Sequence, residues 1–297
     1  MDIGLTLVAD ATGRAASDAL ESVLHLCETA QHRGIKTLWF TEHHHNRTRA
    51  LSSIPVLMAA AGARTGLKLG AATLLPALHD PVRLAEAMGS LEALYPGRML
   101  WGFGKGGRSE VACTHLPEIT PDNVRDRMLD AVDALYAPEP ECAIVPPLSS
   151  TAPRFIASRD AGAVRYAAQN GMGLMFGHKW PLEALAGLIS LYRSHHREGS
   201  RPRVMLSRYF HCESSDAEAR RVTLEAFERR REKMRAIGRA QATEAEGVDF
   251  GRSLVGTPEA CRERIAHYGG LGITHLSLRP ALPSTEAALH SLEALAL

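Results

Sequence analysis

The chain has 297 residues, of which 45% are apolar and 23% charged, and its formal net charge is +1. A near-neutral chain carries no electrostatic footprint for nucleic acid or an anionic membrane surface, and no run reaches the roughly 18 apolar residues of a membrane-spanning helix. The five cysteines (Cys27, Cys113, Cys142, Cys212, Cys261) are odd in number, widely spaced and without a C-x-x-C pair, which argues against a disulfide framework or zinc site and for a reducing, cytoplasmic setting.

In chain order, IGLTLVA (3–9) reads as a first strand, and the acid at position 2 with no basic stretch speaks against a signal peptide. Leu20, Val23, Leu24 and Cys27 recur at helical spacing. KTLWFTE (36–42) is a strand, the Ala-rich stretch 53–65 a helix, and LKLGAATLL (67–75) a strand. Asp80 as N-cap, Pro81 at the first helical position and the stripe Leu84, Met88, Leu91 define the next helix, which stops at Tyr95-Pro96-Gly97. RMLWGFG (98–104) is the fourth strand, 121–137 a helix, and the Pro-rich 138–153 a surface excursion rather than a domain boundary. RFIAS (154–158), MGLMFG (172–177), VMLSRYFHC (204–212) and THLSL (274–278) are strands, interleaved with helices over 160–169, 181–197, 216–238, from Thr257-Pro258-Glu259 onward, and 284–296. Eight strands, nearly all followed by helices, predict an α/β chain folded as one (β/α)8 TIM barrel over 1–297, with an open doubly wound sheet as competitor.

Chemistry in such a barrel collects at the C-terminal strand ends. Those ends carry Glu42-His43-His44-His45, then Ala71-Ala72-Thr73, then Gly104-Lys105-Gly106-Gly107-Arg108, then Ser158-Arg159-Asp160, then Gly177-His178. Histidines, cations and glycines together suit an anionic ligand across the mouth. GFGKGG matches G-x-G-x-x-G formally but is not followed at once by a clean helix, so it reads as a loop that lets backbone approach a ligand, or as an ordinary turn. Continued strand alternation would place His43 and His45 on one face and Glu42 and His44 on the other. An H-x-H pair can bind zinc, but the other candidate ligands, His178, His211 and His275, lack supporting acids, so no metal is expected.

TLWFTEHHH, followed by IPVLMAAAGARTGLKLGAATLLPALHDPVRLAEAMGSLEALYPGRMLWGFGKG, resembles the bacterial-luciferase-like flavin monooxygenase family. RYAAQNG (165–171) and VGTPEACRERIAHYGGLGITHLSL (255–278) extend the resemblance over most of the chain. It implies a barrel that binds reduced FMN, supplied by a separate NAD(P)H-dependent flavin reductase. The reduced flavin reacts with O2 to a C4a-peroxide that oxidises a small organic substrate in a dry site. A deazaflavin-dependent oxidoreductase and a non-catalytic flavin-binding protein are the alternatives, with a metallohydrolase ranked behind them. Residue by residue, the resemblance implies that His43 is the catalytic acid/base and that Ala71-Ala72 form a cis peptide under the flavin. It further implies that Lys105 meets the flavin phosphate and that His178 lies near the ring. Gly104 stands where the luciferases carry a reactive cysteine, and Arg159, Asp160 and Ala163 replace their phosphate-binding Glu, Ser and Thr after Ser158. The stretch 238–255 is brief, implying a shortened loop insertion, and the family commonly forms homodimers through barrel helices.

Overall fold

A computed structural model describes residues 1–44, 48, 50–51, 53–107, 116–137, 144–236 and 248–297. His45, Arg108, Cys113, Cys142 and most of the 238–255 stretch lie outside the described residues.

Nine strands form one all-parallel sheet: β1 Asp2–Leu7, β2 Thr37–Phe40, β3 Lys68–Leu74, β4 Met99–Gly104, β5 Arg154–Ala157, β6 Gly173–Phe176, β7 Val204–Cys212, β8 Leu254–Gly256 and β9 His275–Pro280. Neighbours run β6-β5-β4-β3-β2-β1-β9-β7, and β6 also pairs with β7, which closes eight strands into a barrel. The expected (β/α)8 fold is thus present, with one correction. The eight-strand count omits β8, a three-residue strand that pairs with Phe210–Cys212 at the far end of β7 and lies outside the closed ring. The reason lies in β7, whose nine residues outrun its pairing with β9, leaving a free stretch that captures Leu254 and Val255.

The helices are α1 Ala16–Gln31, α2 Ile54–Arg64, α3 Pro81–Leu94, α4 Val124–Leu135, α5 Ala161–Gln169, α6 Leu182–Ser194, α7 Asp216–Ala236, α8 Pro258–Gly270 and α9 Thr285–Leu295. Their starts follow the capping chemistry. The Asp80 carboxylate accepts from Arg83 N at 2.9 Å, and the Thr257 and Ser284 hydroxyls accept from Ala260 N and Ala287 N, so orphan amides of the first turn are satisfied. Among the described residues, no helix is long and apolar enough to cross a membrane.

Two apolar layers result. One fills the space between strands and helices and holds Leu38, Phe40, Leu69, Trp101, Phe103, Ile156 and Phe176, all fully buried. The other lies inside the barrel: Trp39, Leu100, Phe155, Met175 and Met205, with Ala72 and Ala157 against them. Gly4 and Gly70 make room for the indole, since a Cβ on Gly70 would stand 2.3 Å from Trp39 Cε3 and one on Gly4 2.5 Å from Trp39 Nε1. Trp39 and its neighbours thereby plug the lower barrel and leave the C-terminal mouth to smaller side chains.

Candidate functional site at the barrel mouth

Alternation along each strand determines what the mouth presents. From the interior layer, Leu100 leads to Gly102 and Gly104, Phe155 to Ala157, Met175 to Gly177, Gly70 to Ala72, and Met205 to Ser207 and Tyr209. From β3 to β6 these inward positions therefore bear nothing larger than a methyl group, and the Met175 thioether and the Thr73 side chain fill the space against Gly102 and Gly104. A Cβ on Gly102 would meet the Ala71 carbonyl at 2.4 Å, and one on Gly104 would meet Thr73 Oγ1 at 2.3 Å. The register between β3 and β4 slips between Ala71 and Leu74. At that slip lies a cis peptide, between Ala72 and Thr73 rather than between Ala71 and Ala72 as the resemblance implied, because the irregular peptide occurs where the ladder breaks and Ala71 is still in regular register with Trp101.

The pairing of Gly104 with Ala157 and of Phe155 and Ile156 with Gly173 and Leu174 makes the ends of β4, β5 and β6 neighbours. This brings Gly104, Lys105, Ser158, Arg159, Asp160, Gly177 and His178 to one arc of the mouth. Lys105 and Arg159 are exposed, and the Arg159 guanidinium lies 5.0 Å from the centre of the Trp180 ring. Asp160 has a structural task, accepting from Ala163 N at 3.0 Å as the N-cap of α5 and pairing with Arg125 at 2.9 Å. The Ala163 amide and Arg125 hold its carboxyl below the ordinary aspartate range, against a smaller upward push from burial.

His178 packs its ring 4.6 Å from that of Tyr209. Burial first, then the charges of Arg279, Lys179, Arg208 and Arg230, hold its pKa at about 2, so the imidazole is neutral at physiological pH. Neither His178 Nε2 nor the buried Tyr209 Oη has a hydrogen-bond partner among the described residues.

On the other side, β2 ends at Phe40, so the expected alternation through His45 does not apply. Glu42, 5% exposed, instead turns toward the β3 end: Oε2 accepts from Leu75 N at 2.8 Å, while Oε1 meets His44 Nε2 at 2.6 Å and His79 Nε2 at 2.5 Å. Burial pushes this carboxyl up, but the bonds from His44 and His79, the charge of His79 and the Leu75 amide outweigh it and hold it at about 2. An ionised Glu42 accepts only, so both histidines carry their proton on Nε2 and keep Nδ1 for other contacts. The three groups have the donors of a metal site, within 4.8 Å of one another. Their 2.5 and 2.6 Å separations are hydrogen-bond lengths, whereas tetrahedral zinc ligands stand roughly 3.3 Å apart. His43, beside Glu42 in the chain, is half-buried.

His211 and His275 are structural. His211 contacts Ser291 Oγ at 3.2 Å and Glu213 at 3.1 Å, and His275 contacts Thr274 Oγ1 at 2.8 Å while packing on Trp39 and Phe155. The strand-end reading missed His79, Tyr209 and Arg279. His79 stands just before the Asp80 cap, and the other two are inward-parity residues of β7 and β9 that register directly opposite each other.

A closed parallel barrel whose strand ends bring glycines, a neutral histidine and an oriented carboxylate–histidine hub to one mouth has the layout of a barrel enzyme. The luciferase-like monooxygenase family profile matches residues 1–275, and the chain belongs to that family. A luciferase-like monooxygenase of Escherichia coli (strain K12) is 29% identical over 196 residues, which cover 64% of this chain and 58% of the relative. The crystal structure of monooxygenase RslO1 from Streptomyces bottropensis superposes with a TM-score of 0.83 at 24% identity, over 100% of this chain and 98% of that one. The oxygenating constituent of 3,6-diketocamphane monooxygenase of Pseudomonas putida, in complex with FMN, superposes at 0.76 with 19% identity, over 100% and 97%. An F420-dependent secondary alcohol dehydrogenase also superposes at 0.76, with 14% identity, over 99% and 97%.

Proposed function

We propose that the mouth binds reduced FMN, delivered by a separate NAD(P)H-dependent reductase, and that the protein is a monooxygenase oxidising a small organic substrate with O2. The observation that carries this reading is the arc Ala72, Gly102, Gly104, Ala157 and Gly177. It is built of residues with no side chain beyond a methyl group, with the Met175 methyl against Gly102 and the Thr73 hydroxyl against Gly104, and the Tyr209 Oη and His178 Nε2, unpartnered among the described residues, are polar atoms a ring's heteroatoms would satisfy. A flavin bound there supplies the activation of O2. Lys105, Ser158 and Arg159 are the residues to hold its phosphate. Gly177 and His178 line the approach from β6, and His43 is the residue to exchange the proton. Val56, Val82 and Leu94, exposed on α2 and α3, fit the homodimer that belongs to this reading.

The test is anaerobic titration with reduced FMN and, in parallel, with reduced deazaflavin, followed by mixing with O2. Binding of reduced FMN with O2-dependent product is the expected result, and binding of the deazaflavin alone sinks it. His43→Ala is expected to keep the fold and FMN affinity while product formation falls about 100-fold or more. Unchanged turnover removes His43 from the chemistry.

A further inference from the structure

Between the C-terminal ends of β1 and β9 and the helices α1, α7 and α9 opens a cavity of about 460 Å3, a size suited to a small-molecule ligand. Leu7, Val8, Leu26, Phe227, Pro280 and Leu282 give it an apolar wall. Its charges are unbalanced: Arg14, Arg229, Arg230, Lys233 and Arg279 line it against the single acid Asp10. Most of these cations have work elsewhere. Arg14 donates to the Asp10 carbonyl at 2.9 Å and to Ser22 Oγ at 3.1 Å, Arg229 pairs with Glu225 at 3.6 Å, and Arg230 and Asp10 also have partners. Lys233 stands exposed at the rim.

Arg279 differs. It sits on a strand, half-buried in the wall, and among the described residues no carboxylate or carbonyl binds it. Its guanidinium lies 5.6 Å from the centre of the Tyr209 ring, a contact that uses none of its N–H donors. Tyr209 itself is 5% exposed, and its Oη is unpartnered among the described residues. An oriented, unused guanidinium in an apolar recess is complementary to a planar or tetrahedral oxyanion, which it can grip with two parallel N–H bonds.

We infer that this cavity receives the substrate, and that the substrate is an amphipathic organic anion whose apolar body lies against Leu7, Val8, Leu26 and Phe227 and whose oxyanion head meets Arg279. The inference rests on the flavin reading only for the word substrate, since anion selectivity is a property of the cavity alone. The same chemistry has a second source in the flavin's own phosphate, and the experiment separates the two.

Calorimetric titration of the flavin-free protein with octanoate, 1-octanesulfonate and 1-octanol is the direct assay. At least one of the two anions is expected to bind about tenfold tighter than the alcohol, a preference that shrinks as salt is raised. Arg279→Gln is expected to abolish the preference and Arg279→Lys to restore part of it, with circular dichroism confirming the fold and with affinities for FMN and riboflavin unchanged. Equal affinity for anion and alcohol in the native protein overturns the inference. So does an Arg279→Gln variant that loses FMN but not riboflavin, because the cation then serves the phosphate. Loss of FMN binding in the native protein, with anion selectivity intact, overturns the flavin reading instead.

Discussion

Replacing Glu42 by Gln tests the hub that holds His44 and His79. The carboxylate is 5% exposed and takes three hydrogen bonds, from Leu75 N, His44 Nε2 and His79 Nε2. Its pKa falls from 4.5 to about 2, which corresponds to stabilisation on the order of 3 kcal/mol at neutral pH, at roughly 1.4 kcal/mol per tenfold. The sign follows from the depression. The contribution is complete above the unfolded value near 4.5 and is lost as pH falls through that value toward 2. Glutamine keeps one acceptor but turns an NH2 group toward N–H donors, so a loss of about 2–4 kcal/mol is expected at pH 7. Urea unfolding of both proteins at pH 7, 5, 4 and 3 measures it. The difference between them should hold from pH 7 to pH 5 and then shrink. A difference that is below about 0.5 kcal/mol at pH 7, or that stays constant down to pH 3, refutes the assignment of Glu42 as an ionised hub.

Gly70→Ala puts a Cβ 2.3 Å from the buried Trp39 ring, and two rigid groups cannot both stay. The urea midpoint should report a loss of about 1–3 kcal/mol, and an unchanged midpoint would mean that the indole shifts freely. Asp160→Ser keeps an N-cap for α5, so stability should move by less than about 1 kcal/mol. The same change removes a negative charge from the arc assigned to the flavin phosphate. FMN should then bind several-fold tighter with riboflavin unaffected, and equal FMN affinity would move the phosphate away from that helix terminus.

Much of the barrel was legible because strand and helix periods alternate with clean punctuation. Asp80, Thr257 and their following prolines mark helix starts that the structure retains. What was not legible depended on closure. Tyr209 and Arg279 read as unremarkable strand residues until β7 and β9 are neighbours in register. Glu42 and His79 are 37 positions apart and share no pattern, yet they meet because β2 ends at Phe40 and the chain turns toward the β3 loop. The extrapolated alternation through EHHH failed for the same reason, since a strand period has no meaning past the last ladder bond. The cis peptide was displaced by one residue because it belongs to the β3–β4 register slip, a pairing feature rather than a local sequence preference.

The near-neutral net charge conceals the distribution that matters. Along α7 part of the positive charge is matched locally: Arg221 pairs with Glu218 and Glu225, and Arg231 with Glu228. Such exposed helix pairs contribute little to stability and leave little field at the mouth. Among the described residues Arg279 has no such neighbour, and the Tyr209 ring 5.6 Å away does not neutralise it. Glu42 is the reverse case: its charge is consumed by histidine and amide donors and therefore does not oppose an anion across the barrel. A mouth built this way is selective through which charges are left uncompensated, and that follows from pairing in three dimensions rather than from composition.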